Sequence, residues 1–521
     1  MKSPPLETKR DALLIAAFSI AALVLRLAFR IDYDEDIDAL RFALGVERVS
    51  VAELRPHAPY YPVFIAAAKV FTALSASPRQ ALALVCALSG ALLVTATALL
   101  AREIAAARRR RLVGHLAGAL AAVSPFLWLS SEKLMSDMPG AALTTWALWL
   151  CARARRLETD GNPARAAHVL RTAALLLLGL GLGVRLSYFP VAIACFALIV
   201  RREGGLASLV ARGRDLAVGV LVWLVPLIIA VPPRELVGTT LVQGAGHFTR
   251  WGGTAITVSS PWERLHGAVW GLWANVLGGA WPDAPASRWI AAPILIVFLA
   301  FAVRSAGTAQ KIQKTFRSQP ELWASALAYF GWALLGQNTV YKPRHWLPLA
   351  PLLVIAVASG AGSLIDVARS RWGDRARFWA AVPALVLFVQ WLADGASLAR
   401  AHLAPSPAAA LVGFLAEPRD PSHPLAQTPV ITADLARLIA EGAPLARVVR
   451  VSHPAEVVPL VLAQGDRGAL ITTEALSQKA RADLAQRGYR LRVIFAAPRS
   501  RYVDSLWTEL ALVLAERPSA Y

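Results

Sequence analysis

Charged side chains are scarce in this chain and cysteines nearly absent, and each shortage excludes something. Only 17% of the 521 residues are charged against 56% hydrophobic, with 17 Trp, a balance far from that of a soluble globular protein. The three cysteines, Cys86, Cys151 and Cys195, all fall inside apolar runs, so none remains to staple an outer loop and no disulfide framework is expected. Carboxylates are the scarcer charge: 34 Asp and Glu stand against 54 Lys and Arg, for a net charge of +20. In a soluble protein that surplus would suggest nucleic acid. Here the arginines cluster between apolar runs, and tracts such as Arg108–Arg111 have no interleaved aromatics, so they read as loops beside a membrane and nucleic acid is dropped as a partner. No small-residue cleavage site follows the first apolar run, Ala12–Phe29, which reads as a retained anchor.

What is present is a series of apolar runs. About 20 such residues span a bilayer as a helix, somewhat fewer where the bilayer is thin. Eleven runs are expected to do so: Ala12–Arg30, Gln80–Ala101, Leu112–Leu129, Met138–Ala152, Val169–Val184, Ser187–Val200, Asp215–Val231, Trp289–Val303, Glu321–Gly336, Trp346–Ile365 and Phe378–Ala393. Tyr61–Leu74 is short, contains Lys69, and could be a span or an interfacial helix. The positive-inside rule decides for the interfacial reading. Every basic loop (Arg108–Arg111, Arg153–Arg156, Arg201–Arg214, Lys311–Arg317, Arg369–Arg377) then falls on the cytoplasmic side. The amino terminus is expected inside. The acidic loop Asp32–Asp38, the segment Pro232–Arg288, the turn Gln337–His345 and the tail after Asp394 are expected outside.

The fold class expected is an α-helical polytopic membrane protein with a small C-terminal α/β domain. Residues 1–394 form the membrane part, with a first outer loop at 31–79 and a large one at 232–288; residues 395–521 form the tail. In the tail, Val430–Ile431, Val448–Val451, Ala469–Thr472 and Leu491–Phe495 read as strands, alternating with helical stretches at Ala433–Glu441, Ala455–Gln464 and Gln478–Arg487. The tail has no glycine-rich phosphate loop and no metal-ligand spacing, so it reads as a docking or capping domain. The Ala- and Arg-rich, Lys-poor usage points to a bacterial inner membrane.

In a mostly apolar chain, function belongs where costly polar groups are kept. Five clusters stand on the predicted outer side. Asp32, Asp34, Glu35, Asp36 and Asp38 precede a short amphipathic helix; their mutual repulsion would raise the proton affinity of some or recruit a cation. One could act as a base, and the plainer reading is a solvated loop with Asp38 as the helix cap. Arg55-Pro56-His57-Ala58-Pro59-Tyr60-Tyr61-Pro62 holds His57 and Tyr61 at the surface, where an aromatic belt is the plainer reading. Ser131–Pro139 carries Lys133 and Asp137, and helix capping alone would account for Asp137. Arg185 separates two apolar runs and could snorkel to headgroups. Tyr341-Lys342-Pro343-Arg344-His345-Trp346 sets Lys342, Arg344 and His345 between prolines, suited to gripping a lipid-linked phosphate. The large outer segment adds His247, Arg250 and Trp262-Glu263-Arg264. Arg26 is the one charge clearly inside a span, near enough its outer end to snorkel.

The order of these motifs resembles the GT-C class of glycosyltransferases, in the group holding protein O-mannosyltransferases and lipid A aminoarabinose transferases. The carriers are Asp38-Ala39-Leu40-Arg41-Phe42-Ala43, His57-x-Pro59-x-Tyr61-Pro62, Ser136-Asp137-Met138-Pro139 and Arg344-His345-Trp346-Leu347-Pro348, over roughly Ala12–Ala393. The resemblance implies transfer of a sugar from a polyprenyl-phosphate carrier to a glycan, lipid or protein acceptor at the outer, periplasmic face. It assigns the base to Asp38, with Asp34, Glu35, Asp36 and Asp137 as secondary carboxylates. The donor phosphate falls to Arg344, Lys342, Arg185, His57 and Arg250, with Tyr61, His247, His345 and Lys133 as further site candidates. The family often has Glu after the Asp where this chain has Ala39, which leaves a divalent cation open. A polysaccharide ligase or polymerase would share the carrier lipid. A transporter or flippase would need repeated halves and charges at mid-span, and neither is evident.

Overall fold

The computed structural model describes residues 6–161, 164–249, 253–257, 260–282, 284–307, 318–340, 342–418, 423–465, 468–497 and 509–517. Arg250 and Tyr341 lie outside them. Two compact units result: 1–31 with 42–400, and 32–41 with 401–521.

The first unit is helical. In order come α1 (Leu6–Ala28), α2 (Ile37–Glu47, which begins in the second unit), α3 (Pro62–Thr72), α4 (Pro78–Ile104), α5 (Arg110–Val123), α6 (Pro125–Glu132), α7 (Asp137–Thr159) and α8 (Ala164–Leu182). Then follow α9 (Phe189–Glu203), α10 (Gly205–Ala230), α11 (Pro233–Thr249), α12 (Pro261–Trp270), α13 (Ala286–Ala306), α14 (Pro320–Gly336), α15 (Ala350–Trp372) and α16 (Asp374–His402). Prolines sit at the first turn of many of these, where no N–H is needed, and Ser77 and Gln80 close a reciprocal cap on α4. All eleven predicted runs are helical. Among the described residues, seven helices are long and apolar enough to cross a membrane. The bent pair α5–α6, which turns by 50° at Ser124–Pro125, makes an eighth. The other three predicted spans, α7, α9 and α14, are shorter or carry charge in their last turns. Helix α3 has 11 residues, about 16 Å of rise, roughly half of what a span requires.

Helices α8 and α10 approach so closely that a Cβ on Gly179 would lie 2.4 Å from Leu216 O, and one on Gly219 2.3 Å from Leu176 O. Small residues allow such backbone contact where lipid supplies no hydrophobic drive. Arg26 corrects its expectation: it is 1% exposed, and instead of reaching for headgroups it donates to Ala22 O, Ala122 O and Ser131 Oγ. Ala122 O lies at the α5–α6 break, where the missing N–H of Pro125 interrupts the helical ladder.

At the end of the bundle that carries the basic loops, arginines meet carboxylates. Asp11 takes Arg102 and Arg111, Glu103 takes Arg153 and Arg156, Glu321 takes Arg155, and Asp366 takes Arg108 and Arg109. Arg212, with a side chain fully out of solvent, bonds Glu203, Asp215, Thr172 and His168. Arg171 joins Glu203 to Glu158.

In the second unit a five-stranded sheet runs β1 (Val430–Thr432), β2 (Val448–Arg450), β3 (Ala469–Thr472), β4 (Arg490–Ala496) and β5 (Ala511–Glu516), in spatial order β2-β1-β3-β5-β4. β1 pairs in parallel with β2 and β3, while β5 runs antiparallel to β3 and β4. β5 was not read from the sequence, although its inner run Leu512–Ala515 is buried. Glu474 ties the sheet ends by accepting from Thr432 Oγ1, Thr472 Oγ1 and the Ala433 amide. The acidic segment belongs to this unit. Tyr33 donates to His402 O at 2.8 Å, His402 meets Glu35 at 3.2 Å, and Ser406 donates to Glu35 O.

Candidate active site

At the end of the first unit away from the paired arginines, five chain-distant segments meet. Asp137 opens α7 and is 2% exposed. Its Oδ1 lies 3.0 Å from Arg185 Nη2, and Oδ2, equally buried, accepts no hydrogen bond from the described residues. A capping carboxylate would accept backbone N–H groups; Asp137 does not, so capping does not account for it. Arg185 is buried as well and also donates to Ser136 Oγ at 3.2 Å, which replaces the snorkelling expectation. Gly140, one turn into α7, makes room: a Cβ there would come within 2.9 Å of both Arg185 and Tyr188.

Arg185 faces the Tyr61 ring, its Cζ 5.9 Å from the ring centre. Tyr61 meets His57 Nε2 at 3.1 Å, and Phe42 of α2 packs edge-on against Tyr61. Val63 N bonds Gly183 O, docking α3 beside the Arg185 turn. On the other side, Tyr188 donates to Asp137 O and stacks edge-on against Tyr329, whose hydroxyl donates to His345 O at 2.8 Å. Arg344 and His345 are buried in the 3₁₀ segment Pro343–Leu349. Arg185, Arg344, Lys342 and His247 all act on His345 through space, and Arg344 acts on Arg185. His247 Nε2 lies 2.8 Å from Gly336 O.

Electrostatics follow from this crowding. Burial works against the charge on Arg185, and Asp137 with Tyr61 and Tyr188 outweighs it, so the guanidinium is held charged more firmly than usual. Burial lowers the proton affinity of His247; the bond to Gly336 O opposes this and the charges of Arg185 and Lys342 add to it, leaving a net downward shift. Like charges held together out of water are costly, and such arrangements concentrate at functional sites.

Of the predicted site residues, Asp137, Arg185, Arg344, Lys342, His345, His247, Tyr61 and His57 therefore come together in the first unit. Lys133 sits, half-buried, in the loop between α6 and α7. Arg250 falls outside the described residues. Asp34, Glu35, Asp36 and Asp38 belong to the second unit. There the helix cap of α2 is Asp36, whose Oδ1 accepts from the amides of Asp38 and Ala39. Asp38, expected as that cap, lies in the first turn and pairs with Arg41 at 3.7 Å. Asp34, Glu35 and Asp36 are buried rather than solvated. Ser136 and Tyr188, which lie in motifs the sequence singles out, were given no site role, and Tyr329 was missed; a tyrosine inside an apolar run, as at 329, was the available signal. Among the described residues, no group of three or more His, Cys, Asp or Glu side chains is placed to hold a metal ion.

No protein-family model and no curated protein sequence matches the chain. Solved structures do. ArnT from Cupriavidus metallidurans in the apo state is 13% identical with a TM-score of 0.55, each chain covered to 98%. The same protein bound to undecaprenyl phosphate is 15% identical with a TM-score of 0.52 and the same coverage. The oligosaccharyltransferase of Archaeoglobus fulgidus in its apo form is 15% identical with a TM-score of 0.53, covering 93% of this chain and 69% of that one. The fold is that of the GT-C glycosyltransferases, a polytopic helical bundle with a small C-terminal sheet.

Proposed function

We propose that this protein is a membrane glycosyltransferase that moves a sugar from a polyprenyl-phosphate carrier to an acceptor hydroxyl on the extracytoplasmic side. The observation that carries the reading is the convergence of Arg185 with Lys342 and Arg344, from two distant parts of the chain, around Tyr188 and Tyr329, whose hydroxyl holds His345 O. Guanidinium and ammonium groups gathered in this way suit a phosphate, and the bundle that holds them has the fold of an ArnT solved with undecaprenyl phosphate.

In the reaction the acceptor oxygen forms a bond to the anomeric carbon while the bond from that carbon to the carrier phosphate oxygen breaks. The hydroxyl proton passes to a carboxylate, and the electron pair leaves with the polyprenyl phosphate, whose growing charge the cations offset. Arg344 leads the cations, with Arg185, Lys342 and His57 beside it. The base is assigned to Asp38, which the family resemblance puts in that role and which stands in the first turn of α2 beside Arg41. Asp137 orients Arg185. No step of this scheme requires a divalent cation. On this reading the protein works in a bacterial inner membrane, with the amino terminus cytoplasmic and the tail periplasmic, as the distribution of basic loops supports.

The test supplies the purified full chain in nanodiscs with polyprenyl-phosphate monosaccharides and a membrane extract as acceptor, and follows release of free polyprenyl phosphate. Release that requires the acceptor fraction is expected. Release only from carriers bearing a whole glycan would reassign the protein to the ligases, and no release from any donor would remove the reading.

A further inference from the structure

The last four carbonyls of any α-helix lack partners inside the helix. In α14 these belong to Ala333, Leu334, Leu335 and Gly336, and every one is met from α11, α12 or the segment between them. Arg264 Nε donates to Leu334 O and Nη2 to Ala333 O at 3.3 Å. The Ala255 amide donates to Leu335 O at 3.0 Å, and His247 meets Gly336 O. Arg264 Nη2 also reaches the next carbonyl, Gln337 O, at 2.8 Å, while Nη1 holds Gly253 O. The guanidinium is buried, at 5% exposure. It thus caps a helix end whose partial negative charge favours a cation, and it ties the first residue beyond that end to α12.

The chain after that end is the one that matters to the site. Gln337, Asn338 and Thr339 are all buried, and a Cβ on Gly253 would overlap the Asn338 side chain. Three residues further on come Lys342 and the 3₁₀ segment with Arg344 and His345. On its far side that segment rests on Gly271, where a Cβ would lie 2.6 Å from Trp346 Nε1, and on Tyr329, which holds His345 O. Both edges of the cationic segment are therefore anchored, and at the edge nearer Lys342 one side chain, Arg264, makes four carbonyl bonds and, among the described residues, meets no carboxylate of its own.

We infer that Arg264 is a positioning residue: by closing the end of α14 it fixes the Lys342–His345 segment in the geometry that binds a lipid-linked phosphate. The phosphate ligand rests on the function proposed above; the closure of α14 does not.

The experiment uses the full chain in nanodiscs, with Arg264→Met and Arg264→Lys, and reads two quantities. Hydrogen exchange at the amides of Gln337–Val340 reports the anchor, and binding of undecaprenyl phosphate reports the site. In Arg264→Met, exchange there should rise at least tenfold while α4 and α7 keep wild-type protection, and the Kd for undecaprenyl phosphate should rise at least tenfold. The lysine variant, which keeps the charge and loses the fork, should recover part of the affinity. Unchanged exchange would overturn the anchor, and raised exchange with wild-type affinity would reduce Arg264 to a structural role. Raised exchange in a protein whose wild type binds no undecaprenyl phosphate would keep the anchor and remove the ligand. If Arg264→Met fails to fold, Arg264→Lys carries both readouts.

Discussion

The two ends of the helical bundle hold their charges in opposite ways. Where the basic loops lie, each arginine of the buried network has a carboxylate at hand, and single carboxylates such as Asp11, Glu103 and Glu203 serve two cations each. At the other end Arg185, Arg344, Lys342, His247 and His345 lie together, and Arg185 pairs with the buried Asp137. Opposite charges paired out of water hold helices together; like charges held together out of water work against stability and persist where a ligand compensates. The first end fastens helices, and the second is the one to which the proposed function assigns a ligand.

Substitutions at each end should separate these roles. The largest effect is expected from Asp38→Asn, which keeps shape and removes the proposed base. Transfer should fall by about 10²–10⁴, the usual share of general base catalysis, with unchanged undecaprenyl phosphate affinity; full activity would return the role to another carboxylate. Next, Arg344→Ala should lower that affinity by about 10- to 100-fold, as expected for a charge-assisted phosphate contact, and leave thermal stability nearly unaltered. Arg212→Met should do the reverse, costing up to about 3–5 kcal/mol by taking the fully buried cation from Glu203 and Asp215 while lipid-phosphate affinity holds. A stability loss in the first or an affinity loss in the second would break the division between the two ends.

A finer probe is pH. His247 has a lowered proton affinity in the folded chain, so the unfolded chain takes up the proton first. Stability from this residue is complete above its ordinary value near 6.5 and declines as pH falls through that value toward the folded one. Thermal unfolding in micelles should show His247→Gln with a shallower loss below pH 6.5 than the wild type. Parallel curves would show that the imidazole contributes nothing to this end of the bundle.

Much of this organisation was legible in the sequence because lipid as solvent imposes long apolar runs, and all eleven runs became helices. The interfacial reading of Tyr61–Leu74 suits an 11-residue α3. The meeting of Arg185 with Arg344 was anticipated only as chemistry, since nothing local links residues so far apart. What the sequence could not give was burial. Arg26 and Arg185 look like snorkelling residues by position, and only packing shows that Ser131, Ala122 O and Asp137 receive them. The cap of α2 was misplaced by two residues because both positions carry Asp, and side-chain geometry chose Asp36. β5 escaped because the short apolar run was not matched to a partner lying about forty residues earlier in the chain.

The Arg26 guanidinium has a consequence for how the protein enters its membrane. The kink between α5 and α6 bares a backbone oxygen that hydrocarbon cannot solvate, and the group that receives it resides on α1, which precedes the break in the chain. Chain order therefore supplies the remedy before the defect: α1 is already in the bilayer when the broken helix emerges. Transplanting that first helix behind the break would force the kinked segment to wait, exposed, for its partner.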